Sequence, residues 1–343
     1  MPAHRRIAFG IVLALPLVTI AACRITDWQL WGPMSAPSGD AVLRIRDISY
    51  YAGPDADGRR HKLDLYLPRG VKNFPVVVFV HGGAWMMGDN RCCGLYSSVG
   101  EFLASQGIGA VLPNYRLSPA VKHPEHIKDI ARAVAWTRAN IGAHGGDTDQ
   151  LFVMGHSAGG HLVALLATDE RYLNAEGMKA ADLKGVIGVS GVYRIPAGST
   201  DVELGGSSPL GVRMDEMAPI RGDGTRRDPL ARERPGLPVR VNVFGPAFGD
   251  DANWRGDASP LAHVRPGLPP FLLLSAEKDL PLLPRMALDL HQSLLKHGCA
   301  STLLTVEKRN HNSIIFKAIE PTDPGAQAIV EFIRQHRHVK AHL

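Results

Sequence analysis

Leu151-Phe-Val-Met-Gly155-His-Ser157-Ala-Gly-Gly160 is the stretch from which the rest of the chain can be placed. Leu151 to Met154 is an apolar strand, and a helical stretch follows the second glycine pair through about Ala167. Between them Gly155-His-Ser-Ala-Gly159 has the form G-x-S-x-G. A serine on a sharp strand-to-helix turn has strained backbone dihedrals, so neighbours without bulky side chains permit the close approach. Such a turn projects the serine Oγ into a cleft. It also aims the N-terminus of the next helix at negative charge developing there. Ser157 is therefore the candidate nucleophile, the alternatives being a decayed site or a purely structural turn.

Upstream, Phe74 to Val80 is a continuous β-branched and aromatic run, the signature of a strand buried on both faces. His81-Gly-Gly-Ala-Trp85 follows it directly. An oxyanion needs donors from two places, and the backbone N–H groups of Gly83, Ala84 and Ala158 are the candidates. Taken alone, His81-Gly-Gly also reads as a tight turn with a packed histidine.

Further strands are expected at Ile108–Leu112, Leu183–Val189, Phe271–Leu274 and Ser301–Val306. Helices are expected over Tyr96–Gln106, Glu125–Ile141, Pro284–His297 and Ala326–Arg337. This alternation implies an α/β fold, a mostly parallel sheet of the eight-stranded type with helices on both faces. Val42–Tyr51 and His61–Leu67 read as two hairpin-connected strands before it. Residues 196–240, rich in Gly, Pro, Arg and Asp, break the rhythm and read as an insertion or a surface excursion.

The acid that orients a catalytic base should follow a later strand. Ala276-Glu-Lys-Asp279 comes directly after Phe271-Leu-Leu-Leu-Ser275, and Asp279 is preferred to Glu277, with Asp257 and Asp289 as further alternatives. Asp250 and Asp251 sit in a polar segment and are expected to be solvated. The base should lie in the loop after the last strand, where Asn310-His-Asn312 offers His311 four to six residues beyond Val306. The chain order Ser157, Asp279, His311 is the one this fold uses. Of the 15 histidines most are expected to be structural, and His336, His338 and His342 to be a solvated end. No metal-ligand spacing and no dinucleotide fingerprint is present in the sequence, so no cofactor is expected.

The N-terminus reads separately. His4, Arg5 and Arg6 precede an uncharged, mostly apolar run from Ile7 to Ala22, shorter than the roughly 20 residues a spanning helix needs and interrupted by Pro16. Ile20-Ala-Ala-Cys23 resembles a bacterial lipoprotein signal. The expected organisation is a signal at residues 1–22, lipidation at Cys23, a tether at 23–40 and a catalytic body over 41–343. Plain secretion and an uncleaved anchor are the alternatives. The lipid would anchor the chain to a membrane and place it in the cell envelope, facing the periplasm or exterior. A net charge of +5 with interspersed signs gives no ground for a nucleic-acid partner. Beyond Cys23 only Cys92, Cys93 and Cys299 remain, and no disulfide framework follows from them.

His81-Gly-Gly-Ala-Trp85, Asn114-Tyr-Arg-Leu-Ser-Pro119, the Pro124–Ile141 helix, Gly155-His-Ser-Ala-Gly-Gly-His161 and Val189-Ser-Gly-Val-Tyr193 resemble the carboxylesterase branch of the α/β-hydrolases. That branch includes hormone-sensitive-lipase-like esterases, bacterial acetyl and feruloyl esterases, prenylcysteine methylesterases and kynurenine formamidases. The resemblance implies hydrolysis of small or moderate acyl esters, of small molecules or polysaccharides, through an acyl-enzyme. It matches Ser157, Asp279 and His311 to the triad, and Gly83, Ala84 and Ala158 to the oxyanion positions. Two departures stand out: Ala84 replaces the usual third glycine of its loop, and Ala276 replaces a glycine in the turn before the acid. Amidase or formamidase activity uses the same groups. A non-catalytic envelope binding protein on the same scaffold is the alternative of another class.

Overall fold

The computed structural model describes residues 41–197, 201–204 and 239–337. The chain divides into two units, residues 1–35 with 204–239 and residues 36–203 with 240–343. All that follows belongs to the second, apart from Leu204 and Val239. The signal, Cys23, the tether and most of the 196–240 segment lie outside the described residues.

Eight strands make one sheet: β1 (Val42–Ser49), β2 (Lys62–Pro68), β3 (Phe74–Val80), β4 (Gly109–Pro113), β5 (Gly146–His156), β6 (Leu183–Val189), β9 (Phe271–Lys278) and β10 (Ser301–Asn310). Their spatial order is β1-β2-β4-β3-β5-β6-β9-β10. The first two junctions, β1 with β2 and β2 with β4, are antiparallel, and every later one is parallel. Two short strands, β7 (Asp201–Leu204) and β8 (Val239–Asn242), pair separately.

The period of two along each strand divides the core into two layers. Val76, Val78 and Val80 of β3 face one layer with Leu63, Leu65, Leu151, Val153, Phe271 and Leu273. Val77 and Phe79 face the other with Tyr66, Phe152, Met154, Leu272 and Leu274. Helices α2 (Glu125–Asn140), α3 (Ala158–Thr168) and α4 (Leu283–Lys296) cover the first layer through Ile127, Leu162 and Leu290. Helices α1 (Leu95–Ser105) and α5 (Pro324–His336) cover the second through Phe102 and Phe332. Helix α3 is buried all round, which explains why its sequence is apolar on every side.

Strand bounds differ from expectation where the ends are polar. β5 begins at Gly146, before its apolar run, because Phe74 pairs with Gly146. β9 continues to Lys278 and β10 to Asn310. Pairing extends these strands through charged residues that carry no hydrophobic alternation. Cys299 is a buried thiol, donating to the Arg265 carbonyl at 3.2 Å, and forms no disulfide.

Seven histidines are buried among the described residues, and for five of them burial depresses the pKa. Burial pushes His81, His123 and His126 down to about 4, and His156 and His161 to about 3. In the unfolded chain each titrates near ~6.5, so between there and pH 4 the unfolded state binds more protons. Stability is then complete above pH ~6.5 and falls as the pH drops toward the folded values. Each histidine contributes about 1.4 kcal/mol per pH unit within that window. Urea unfolding at pH 7, 6 and 5 should show a monotonic loss, with several protons taken up per molecule unfolded at pH 5. Uptake of fewer than two would contradict the burial of these rings.

Candidate active site

The parallel register brings the carboxyl ends of β3, β5, β6, β9 and β10 to one edge of the sheet. Val80 pairs with Gly155, His156 with Val189, Val189 with Leu274, and Val306 with Ala276. Ligands of open α/β sheets bind at this edge.

Ser157 stands between β5 and α3 with φ 55° and ψ −118°, a conformation costing on the order of 1–3 kcal/mol. Its N–H donates to the Val189 carbonyl at 2.9 Å, and its carbonyl accepts from His161 N–H at 3.1 Å, so the turn is held from both sides. The motif's two glycines are required by space. A Cβ on Gly155 would lie 2.2 Å from the Gly159 carbonyl oxygen, and one on Gly159 would lie 2.1 Å from that of Val80.

His311 Nε2 lies 3.0 Å from Ser157 Oγ, and His311 Nδ1 lies 2.8 Å from Asp279 Oδ1. His311 follows the last strand as expected, but directly, because β10 runs on past Val306 to Asn310. The register slips between Val306 and Asn310, and Asn310 Oδ1 then accepts from the N–H groups of Asn312 and Ser313. That side-chain turn stops the strand and presents the imidazole.

Asp279 accepts four hydrogen bonds, from His311 Nδ1, from Ser190 Oγ at 2.5 Å, from Leu280 N–H at 2.8 Å and from Ala276 N–H at 3.2 Å. Burial alone would raise its pKa, but the bond from His311, that ring's charge, and the bonds from Ser190 and Ala276 outweigh it. The carboxyl is held below its ordinary range. The other acids have different partners. Glu277 accepts from Lys308 N–H at 2.6 Å, inside the irregular part of β10. Asp257 pairs with Arg171 at 2.7 Å, and Asp289 with Arg285 at 2.8 Å. Asp250, expected to be solvated, is exposed yet bonds the fully buried Arg255 at 3.1 Å. Asp251 caps the short helix Ala252–Asp257 by accepting from Trp254 N–H.

Ser190 is the contact that motif reading missed. It lies 89 residues from Asp279 in sequence, and only its place directly after β6 hints at the site.

The loop after β3 is strained as well. Gly83, Ala84 and Trp85 have φ of 118°, 51° and 58°. Left-handed backbone costs roughly 1–2 kcal/mol per non-glycine residue, and Trp85 supplies the anchor that offsets it. Its indole is buried, donates to His161 Nδ1 at 3.2 Å, and meets Phe248 edge-on at 4.8 Å. His161 Nε2 in turn donates to the Ala258 carbonyl at 2.7 Å. Gly82 uses its N–H on Tyr96 Oη at 3.2 Å. Gly83 and Ala84 come next along this half-exposed loop. Ala158 is the first residue of α3, where backbone N–H groups have no intrahelical acceptor. Among the described residues no group of three or more His, Cys, Asp or Glu is arranged to hold a metal ion.

Residues 63–200 match the family model described as BD-FAE. The chain is 30% identical over 304 residues to the esterase LipQ of Mycobacterium tuberculosis, covering 85% of this chain and 62% of that one. It is 36% identical over 146 residues to the isoprenylcysteine α-carbonyl methylesterase ICME of Arabidopsis thaliana, covering 40% and 33%. The chain thus spans between a third and about three-fifths of the length of these curated relatives. The crystal structure of esterase B from Lactobacillus rhamnosis superposes with a TM-score of 0.65 at 20% identity, covering 95% of this chain and 91% of that one. At that identity the likeness speaks for the fold.

Proposed function

We propose that the chain is a serine esterase acting through an acyl-enzyme, one of the BD-FAE-type carboxylesterases of the α/β-hydrolase fold, a reading supported by its similarity to bacterial Lip esterases and plant prenylcysteine methylesterases. The observation that carries this reading is the unbroken line Asp279–His311–Ser157 at the carboxyl edge of the sheet, with contacts of 2.8 and 3.0 Å.

In the proposed mechanism, Ser157 Oγ attacks the ester carbonyl while its proton passes to His311 Nε2. Asp279 keeps the Nδ1–H tautomer in place and stabilises the imidazolium. The carbonyl oxygen gains negative charge and is received by N–H groups of Ala158 and of Gly83 or Ala84. One such donor contributes about 3–4 kcal/mol of transition-state stabilisation. His311 then returns the proton to the departing alcohol, leaving an acyl ester on Ser157. Water, deprotonated by His311, releases the acid by the same steps in reverse. The expected substrates are esters of small or moderate acyl groups, on a small-molecule or a polysaccharide alcohol.

Two measurements test this together. A fluorophosphonate should label Ser157 stoichiometrically, and turnover of p-nitrophenyl esters should be fastest for short acyl chains. Acetylated xylan, feruloyl esters and formylkynurenine complete the panel, the last reporting amide cleavage. A folded protein that takes no label overturns the reading.

The N-terminal part of the proposal rests on sequence alone: export, lipidation of Cys23 and a tether over residues 23–40. Among the described residues no helix is long and apolar enough to cross a membrane. The intact mass of the mature chain should correspond to a start at Cys23 carrying a diacylglyceryl group and an amide-linked acyl chain. An unmodified N-terminus at another residue rules this out.

A further inference from the structure

His156, the residue before the nucleophile, takes no part in the steps just described. It is buried, and both of its ring nitrogens are engaged. Nε2 lies 2.9 Å from the backbone carbonyl oxygen of His311, and Nδ1 lies 3.3 Å from Tyr96 Oη. A carbonyl oxygen only accepts, so Nε2 carries the hydrogen. Burial pushes this imidazole down to about 3, so it is neutral and Nδ1 holds a lone pair. The Tyr96 hydroxyl therefore donates to Nδ1, while its oxygen accepts from Gly82 N–H at 3.2 Å. One proton assignment satisfies all three contacts. They run head to tail from Gly82 through Tyr96 and His156 to His311, an order in which each bond strengthens the next.

The two ends of this chain matter. Gly82 immediately precedes Gly83 and Ala84, the donors proposed for the oxyanion. The far end holds the backbone of His311, the proposed base. In the sheet these loops follow β3 and β10, with β5, β6 and β9 between them, so strand pairing links them only through three intervening strands. The Tyr96–His156 connection spans the gap in two side chains, passing over the end of β5. The rings of His156 and His311 also touch, with centroids 4.9 Å apart.

We propose that Tyr96 and His156 are positioning residues, a single hydrogen-bonded strap that sets the distance between the oxyanion donors and the catalytic imidazole. The proposal rests on the serine-esterase reading above. During attack, negative charge grows on one side of Ser157 Oγ and positive charge on the other. A relative displacement of about 1 Å between the groups receiving them can cost ~100-fold in rate. The strap acts on the transition state and leaves ground-state binding of the ester alone, so its loss lowers kcat and spares KM.

The test uses Tyr96→Phe, His156→Leu, the double variant and His156→Gln. Tyr66→Phe is the matched control, because the Tyr66 hydroxyl is buried in the same core layer and has no hydrogen-bond partner among the described residues. Tyr96→Phe should lower kcat about tenfold, with KM within about twofold and the control near wild type. His156→Leu should lower kcat by at least as much, and the double variant no further than the worse single. His156→Gln, which keeps a donor toward the His311 carbonyl, should recover part of the loss. Two singles whose effects multiply, or a Tyr96→Phe kcat equal to the control's, overturn the strap. Should His156→Leu fail to fold, the comparison of Tyr96→Phe with Tyr66→Phe decides by itself. Wild-type protein unlabelled at Ser157 sinks the esterase reading and the strap with it. Labelled, active wild type beside a Tyr96→Phe variant at the control's rate sinks the strap alone.

Discussion

Ser157→Ala should yield a folded protein whose turnover of p-nitrophenyl acetate has fallen by about 10⁴–10⁶-fold. The expectation of a retained fold comes from what the side chain does. The Ser157 side chain makes no capping bond to α3, and its contact is the 3.0 Å one with His311 Nε2. The backbone bonds to Val189 and His161 persist in alanine, as do the constraints at Gly155 and Gly159. Alanine is strained at φ 55° much as serine is, so the melting temperature should move by only a few degrees. The chemistry has no such reserve. Without Oγ there is no nucleophile for His311 to deprotonate, and the residual rate reflects binding and the oxyanion donors alone. A folded variant keeping more than a tenth of the wild-type rate would remove Ser157 from the mechanism.

Asp279→Asn should cost about 10⁴-fold in kcat with the fold intact. The carboxylate accepts bonds at both oxygens, Oδ1 from His311 and Leu280, Oδ2 from Ser190 and Ala276. An amide has one oxygen. If it faces His311, the NH₂ group confronts the Ala276 N–H, two donors in contact. If it faces Ala276, the NH₂ group donates to His311 Nδ1 and forces the hydrogen onto Nε2, where it blocks proton transfer from Ser157. The second outcome disables the base outright, and the first leaves its imidazolium facing a neutral amide in place of a carboxylate. Glu277→Gln is the matched comparison, since glutamine retains an oxygen to accept from Lys308 N–H, and its rate should stay within about twofold. An inactive Glu277→Gln beside an active Asp279→Asn would mean that the acid lies two residues earlier than proposed. The depressed pKa of Asp279 adds a stability term: it is present above the unfolded carboxylate value near ~3.9 and lost as the pH falls through the lower folded value. This window opens near ~3.9, below the range over which His81, His123 and His126 lose their contribution and overlapping only the low end of that of His156 and His161.

The parts of this site that were legible in the sequence are those that local geometry imposes. A serine at φ 55° between a strand and a helix needs glycines where Gly155 and Gly159 stand, so the elbow is recorded in five adjacent residues. The two layers of the core are recorded likewise, because alternate residues of Phe74–Val80 and Phe271–Leu274 must face opposite sides of a pleated sheet. The G-x-S-x-G turn marked Ser157, and the places after late strands marked Asp279 and His311, in the chain order this fold uses.

Tertiary structure decided which atoms meet. Glu277 and Asp279 are equally acidic and two residues apart. Only the slipped pairing of β10 against β9, which draws Glu277 to Lys308, leaves Asp279 facing His311. The extension of β5 to Gly146 and of β10 to Asn310 depends on a neighbouring strand offering partners, which no hydrophobic period reports. The contacts of Ser190 with Asp279, and of His156 with Tyr96 and His311, join residues 60 to 155 positions apart. A hydrogen bond of that separation leaves no trace in spacing, because the sheet register and not the chain sets its length.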